Sequence, residues 1–500
     1  MYKLMKTLKR YFKDVVLILL VLSSLVMACQ IWFGQYIAST PYSDFLSGAR
    51  SFLKSPISFF GGSRNTTFSY NIKRLLKPEK IVVNRSANRR VVTENEAGFS
   101  DVWLPASELL TAIFSGEAKI TGRAAAADTE EYFAALKGKS IYIDYGSDYD
   151  LRLIAMSIAG ESKTGLSEEI PSAGEILILF NENVLNNVYV YFRNSSAAVT
   201  KLSVEYNKAK LDNVVNDFFK SLQTDTVPSY SYELNFHKSA EGRETKVLFA
   251  PDILIRLVPE ATVSITGKSL LSSGGDYGLA ASAEDTVLRA FKINPMTMRK
   301  YTDISGSSVF VENYGTLSIS PDGLLEYKTL EGSHGIPLSD EKNDTNPDVY
   351  RSAIMAVDFI GSVCNAFPSD VLENLKISSI KSEVQGKLSR YVIKLDCCVN
   401  GLPVFVSEDG KISSAVEMVI EDGFLMSYRQ YVMEYYNTNE SYPGTTVISA
   451  ADKIIESVPS GELPIYINRF TACYVYDGSE VINKKWEILI DKKSDAVIVG

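Results

Sequence analysis

Gly315-Thr-Leu-Ser-Ile-Ser-Pro-Asp322-Gly323-Leu-Leu-Glu-Tyr327 decides how the second half of this 500-residue chain folds. Two strand-like runs flank an Asp-Gly pair, and Asp-Gly supplies the positive φ values that a two-residue hairpin turn needs. The dipeptide recurs at Asp409-Gly410, Asp422-Gly423 and Asp477-Gly478, each time between strand-like runs. The second half therefore reads as antiparallel meanders. Two helices interrupt them. One opens at Asn346-Pro347-Asp348, with cap, Pro and acid in order, and carries Tyr350, Ile354 and Val357 on one face. The other spans Ala450 to Val458 and stops at Pro459. Helices alternating with hairpins predict α+β layers.

Toward the N-terminus the pattern is mixed. Leu104-Pro105-Ala-Ser107 opens a helix with Pro at an early position, and Leu109, Leu110, Ile113 and Phe114 line one face. Ile141–Tyr145, Glu175–Phe180 and Val188–Phe192 read as strands. Leu211, Val214, Val215, Phe218, Phe219 and Leu222 fall at helical spacing, and Gln223–Ser229 with Pro228 reads as a linker. The expected division is 38–222 as an N-terminal α/β block, 230–345 as a middle α+β domain and 346–500 as a C-terminal α+β domain.

The first 37 residues set the placement. Val15–Ile37 runs 23 residues without a charge, long enough at 1.5 Å per residue to cross a bilayer core of roughly 30 Å. Lys3, Lys6, Lys9, Arg10 and Lys13 precede it against one acid, Asp14. The positive-inside bias puts residues 1–14 in the cytoplasm and the remainder outside, and Trp32, Phe33 and Tyr36 suit an outer aromatic belt. A cleaved signal peptide fits less well, because the apolar run is long and no good site precedes Ser39. Val26-Met-Ala-Cys29 is a loose lipobox, with a poor Met and an apolar continuation. The favoured reading is one uncleaved transmembrane helix followed by a multidomain extracytoplasmic body.

Composition narrows the function. Without the charges of residues 1–14, the body carries a net charge of −13, which argues against nucleic acid as a partner. Cys364, Cys397, Cys398 and Cys473 lack metal-site spacing. In the alternating run Tyr391–Cys398, Cys397 shares a face with Ile393 and Leu395, and Cys398 with Lys394 and Asp396. A core thiol beside a surface thiol is the simplest reading; a bridge to Cys364 or Cys473 stays open. His237 and His334 have no motif around them and read as surface residues. Asp144, Asp148 and Asp150 lack the register of a calcium loop and read as a solvated acidic loop. Ser51-Phe-Leu-Lys54, Ser69-Tyr-Asn71 and Lys163-Thr-Gly165 match the S-x-x-K, S-x-N and K-T-G triplet of penicillin-recognising serine enzymes. Their context is wrong for it: Ser51 precedes any folded unit, and Lys163 lies in a turn-like stretch.

A resemblance then emerges. Phe291-Lys-Ile-Asn-Pro295, Tyr301-Thr-Asp303, Gly315–Ile319 and Gly323–Tyr327 resemble the middle domain of the YycH (WalH) family, and Val247-Leu-Phe-Ala-Pro251 resembles the segment before it. Asn400-Gly-Leu-Pro-Val-Phe405 matches that family's G-x-P-V-F strand. Leu463, Ile467, Tyr474 and Trp486 echo its final segment, which has a similar plan in the related YycI proteins. Cys473-Tyr474 stands where Gly-Tyr is usual, and Lys485-Trp486 replaces a Pro-Trp-like pair. None of these motifs is catalytic. The resemblance implies a bitopic regulator that associates with a YycG (WalK)-type sensor histidine kinase of Gram-positive bacteria and so adjusts cell-wall metabolism. It implies no enzyme activity and no cofactor, and admits a YycI-like protein as a further partner. The span becomes a candidate contact surface: Ser24 and Ala28 form a small-xxx-small pair, and Gln30 offers an interhelical hydrogen bond. The alternative classes are an extracytoplasmic module that binds wall fragments and, far behind, the serine enzyme.

Overall fold

The computed structural model describes residues 71–499 apart from short segments, the longest being 181–185, 221–226, 240–244, 273–279, 340–346 and 492–495. The expected span Val15–Ile37, with Ser24, Ala28 and Gln30, lies outside the described residues, as do Ser51, Lys54, Ser69 and Lys163. Among the described residues no helix is long and apolar enough to cross a membrane.

The first sheet has seven antiparallel strands: β1 (Lys80–Arg85), β2 (Asn88–Val92), β3 (Lys119–Ala124), β4 (Ser140–Asp150), β5 (Ser172–Phe180), β6 (Asn187–Arg193) and β7 (Val199–Glu205). Their order across the sheet is β2-β1-β4-β5-β6-β7-β3. Side chains alternate between its faces, and both faces are covered. Ile81, Ile143, Ile176, Ile178, Val190 and Phe192 pack with helices α1 (Phe99–Phe114), α3 (Leu151–Ala159) and α4 (Ala209–Lys220). The intervening Val82, Tyr142, Leu177 and Tyr191 pack with Tyr132, Phe133 and Leu136 of α2 (Thr129–Leu136). Burial on both sides explains why these strands read as near-continuous apolar runs.

The second sheet is larger, with 15 strands. Its strands include β8 (Val247–Phe249), β10 (Arg299–Thr302), β11 (Ser308–Val311), β12 (Gly315–Ile319), β13 (Leu324–Thr329) and β14 (Ile336–Pro337). Farther along come β15 (Leu375–Gln385), β16 (Leu388–Val399), β17 (Leu402–Glu408), β18 (Val416–Glu421) and β19 (Phe424–Tyr431), then β21 (Ile465–Tyr476), β22 (Lys484–Ile490) and β23 (Val497–Val499). Its main path runs β10-β11-β12-β13-β19-β18-β16-β17-β21-β22-β23. Strand β21 is the exception to antiparallel pairing, lying parallel to both β17 and β8. Strands β9 (Ala261–Ser269) and β20 (Met433–Pro443) form a separate ribbon. Helices α5 (Ala281–Ala290) and α6 (Val349–Cys364) contribute Val287, Leu288, Ala356, Phe359, Ile360 and Val363 to the core with Phe310, Leu317, Tyr327, Ile393 and Tyr428. After the short helix α7 (Ser369–Glu373), α8 (Val447–Ser457) covers β21 and β22 through Val447, Ala450 and Ile454. The core cluster that begins at Ile72 continues to Val432, and strands from the 230–345 and 346–500 segments share the second sheet.

Several local readings change. Helix α1 starts at Phe99, after Gly98 in the left-handed region, and Pro105 lies inside it. The bond that Pro105 cannot donate would have gone to the carbonyl of exposed Asp101, a position open to water. The cap of α6 is Asp348, which accepts a hydrogen bond from the Arg351 amide at 2.9 Å. Only one of the fully described Asp-Gly pairs is a two-residue turn: Glu421 pairs with Phe424, with φ 48° at Asp422 and 84° at Gly423. At Asp322-Gly323 the connection is four residues, closed by Ser320 N–H to the Leu324 carbonyl, and only Gly323 has positive φ. The preceding Pro321 fixes a negative φ there, which favours the longer turn. The acidic stretch 144–150 belongs to β4, not to a solvated loop.

Gly335 has φ +74° immediately before β14, and a Cβ there would run into the Leu425 carbonyl oxygen. Gly335→Ala is expected to cost about 2–3 kcal/mol, read as a lower urea midpoint. An unchanged midpoint would mean that β14 can leave β19 freely.

Candidate functional site

The seam between the two sheets concentrates the buried polar chemistry. It forms because β4 overruns its partner. Between Asp144 and Tyr149 the β4–β5 register shifts, and Gly146 at φ +81° turns the strand toward β15. Tyr149 then donates its hydroxyl to the Ile377 carbonyl at 2.7 Å, within a buried environment. Arg469 of β21 donates to Glu79, beside Gly146, and a side chain at 146 would displace that ion pair. Arg74 pairs with Glu373 at 2.5 Å. Arg152, held by Asp150 at 2.6–2.9 Å, reaches Asp348 at 2.8 Å and so ties the start of α3 to the start of α6.

On one side of this seam, Lys80 pairs with Asp144 at 2.8 Å and Arg193 with Glu175 at 2.7 Å. Tyr132 also donates to Glu175 at 2.7 Å, and Asp252 approaches Arg193 to 3.7 Å. Burial, reinforced by the charge of Asp252 and opposed by Arg193, pushes Glu175 up to about 7. Burial pulls Lys80 down, but Asp144, joined by Asp252 and Glu175, more than compensates and leaves it raised.

On the other side, β15 and β16 place Lys376 directly opposite Asp396, and Lys394 and Cys398 share that face of β16. Burial raises Asp396 to about 6, while bonds to Ser414 and Ser378 and the charges of Lys376 and Lys394 hold it down. Burial lowers Lys376 and pushes Cys398 up to about 12. This face was expected to be the solvent side. Instead Asp396 is 7% exposed, bonded to Ser414 and Ser378. Cys364, Cys397, Cys398 and Cys473 are all free thiols.

The other expected residues are spent on structure. Asp148 accepts from the Ser195 amide and hydroxyl, and Asp150 caps α3. His237 is half-buried and stacks on Tyr232 at 5.0 Å; His334 lies 6.2 Å from Phe424. Of the serine-enzyme triplet, Asn71 packs against Gly361, toward the end of α6. Thr164 and Gly165 line a cleft at its start, with Arg152, Ser167, Asp348 and Tyr350. Twelve helical residues separate those positions, about 18 Å of rise, so these members do not share a site.

Two open clefts lie among the described residues. The first, just described, encloses about 490 Å³. The second, about 470 Å³, lies between α5 and α6 over Ile336, Pro337, Met355 and Phe359, with Arg289 and Asp358 at its rim. Among the described residues, no three His, Cys, Asp or Glu side chains are placed to hold a metal ion. The arrangement can hold two bodies in register and respond to charge; sequence reasoning missed it because its pairs join distant segments, as in Glu79–Arg469, 390 residues apart.

No protein-family model matches the sequence, and no curated protein matches it. The crystal structure of YycH from Bacillus subtilis does match, with a TM-score of 0.53 at 12% identity, over 86% of this chain and 96% of that one. Over that length the chain has a YycH-like fold.

Proposed function

We propose that this chain is a membrane-anchored extracytoplasmic regulator that modulates a YycG (WalK)-type sensor histidine kinase by contact and carries out no chemistry. The observation that supports this reading is the fold shared with YycH over 86% of the chain. The sequence adds the span Val15–Ile37, with the small-residue pair Ser24 and Ala28 and the polar Gln30 as its partner-facing candidates. Contact changes kinase output only if its free energy differs between the kinase's signalling states. A YycI-like protein is the expected third member.

The test is a mild-detergent pull-down of the full chain from native membranes, with kinase output measured in its presence and absence. A sensor histidine kinase in the eluate and a changed output are expected. Replacing Val15–Ile37 by a poly-Leu span should weaken both. If no histidine kinase co-purifies and output is unaffected by deletion of the chain, the reading falls.

A further inference from the structure

Strand β10 ends the 15-stranded sheet, and among the described residues no strand pairs with its outer edge. All four of its residues are exposed, Tyr301 (54%) among them, as are Met296 (91%) and Ile304 (109%) beside it. The strands that end the other main paths, β2, β3 and β23, carry none of the large exposed apolar side chains, and the off-path edge strand Lys411–Ser413 carries one, Ile412 at 37%. A free edge flanked by apolar groups is a template for another strand.

The register says which backbone groups are available. Arg299 pairs with Val311 and Tyr301 with Val309, and the Asp303 amide bonds to the Ser307 carbonyl at 3.0 Å. Antiparallel ladders alternate, so Arg299, Tyr301 and Asp303 point their N–H and C=O groups toward β11. Lys300 and Thr302 point theirs outward.

We propose that β10 pairs antiparallel with β10 of a second copy of this chain, about a two-fold axis at Tyr301. The sequence around it is complementary to itself in this register and in no neighbouring one. Centred on Tyr301, Lys300 exchanges hydrogen bonds with Thr302 of the second copy, Arg299 faces Asp303, and Met298 faces Ile304, each twice by symmetry. Centred on Lys300, two ammonium groups oppose each other. Centred on Thr302, Tyr301 faces Asp303 and Arg299 faces Ser305, so the charge match is lost. Lys300 does not obstruct, because it lies over Phe310 at 5.0 Å and pairs with Glu284 at 2.7 Å. The bonds that Asp303 accepts from Ser305 and Ser307 fall on Oδ1, which leaves Oδ2 to meet the guanidinium.

So short an edge covers less than the roughly 1,600 Å² of a standard interface, so the copies exchange quickly and are best trapped covalently. At the axis the two Tyr301 Cα atoms would stand about 4.5 Å apart, within disulfide range. The two Arg299 Cα atoms would be offset by about 13 Å along the strands. In the full chain in its membrane, Tyr301→Cys is expected to form a covalent dimer under mild oxidation, well above the background of the native thiols. Arg299→Cys should stay at that background. Lys300→Pro, which removes an outward amide and no bond to β11, should abolish the Tyr301→Cys dimer at unchanged far-UV circular dichroism. Arg299→Asp should weaken the cross-link, and adding Asp303→Arg should restore it. Equal cross-linking at 299 and 301, or survival with Pro at 300, overturns the register. No cross-link above background means that Arg299 and Lys300 guard the edge, and overturns the pairing.

Discussion

Phe291→Ala lowers the stability of the folded chain by about 4 kcal/mol, the range for a large aromatic truncated in a closed core. Phe291 is fully buried, with ring centroids 5.1 Å from Phe359, 5.5 Å from Tyr327 and 5.5 Å from Tyr428. Those three partners sit on α6, β13 and β19, so one ring locks the helix layer to the sheet. The Phe359 and Tyr428 contacts are edge-on, which adds to the area term. Collapse into the vacated volume is hindered because the neighbours belong to three separate elements. Urea unfolding followed by tyrosine fluorescence reads the effect as a lower midpoint. Phe291→Leu, which keeps most of the volume, should recover more than half of the loss. Equal midpoints for Phe291→Ala and the parent would show that the helix layer is not held by this cluster.

Asp396→Asn is expected to act in the opposite direction and to depend on pH. Asp396 titrates near 6 in the fold, above the usual 3.8, because burial disfavours its charged form. Below pH 4 the carboxyl is neutral in folded and unfolded chains alike, and the substitution changes little. As pH rises through 4 to 6 the unfolded chain loses its proton first, so the folded state falls behind. Above pH 6 the parent carries the full penalty of about two units, on the order of 3 kcal/mol. Asn removes that penalty, so the variant should gain stability at pH 7.5 and match the parent at pH 4. Lys376 and Lys394 face the same carboxylate and lose a counter-charge, which trims the gain. Urea midpoints at the two pH values decide it. A loss of stability at pH 7.5 would show that the Lys376–Asp396 pair outweighs its desolvation.

Much of the fold was legible because it depends on neighbours in sequence. The apolar run Val188–Phe192 and the helical spacing of Leu211, Val215 and Phe218 both mark core elements, and the structure buries Val188, Val190, Tyr191, Phe192 and all three helix residues. Asp422-Gly423 encodes its own turn. Asp322-Gly323 does not, since Pro321 before it changes the connection. The acidic stretch 144–150 was misread for a related reason: three carboxylates look solvated until Lys80, Ser195 and Arg152 arrive from other elements to meet them. Asp396 was placed outside on alternation alone, which tells that two faces differ but not that both are covered. The resemblance to YycH rested on turns and core strands, and it is the fold that the comparison bears out. The expected span with Ser24, Ala28 and Gln30 rests on the sequence alone.

The parallel placement of β21 has a consequence for how the chain is made. Residues 465–476 slot between β17 and β22 and also receive β8, which was synthesised more than two hundred residues earlier. A chain emerging N-terminus first therefore presents β8 without its partner and β17 with an open edge until residues 465–476 arrive. Such edges invite wrong pairings during that wait. Truncations that stop short of residue 465 should accumulate as aggregates, and a holding chaperone has its natural target in this unfinished sheet.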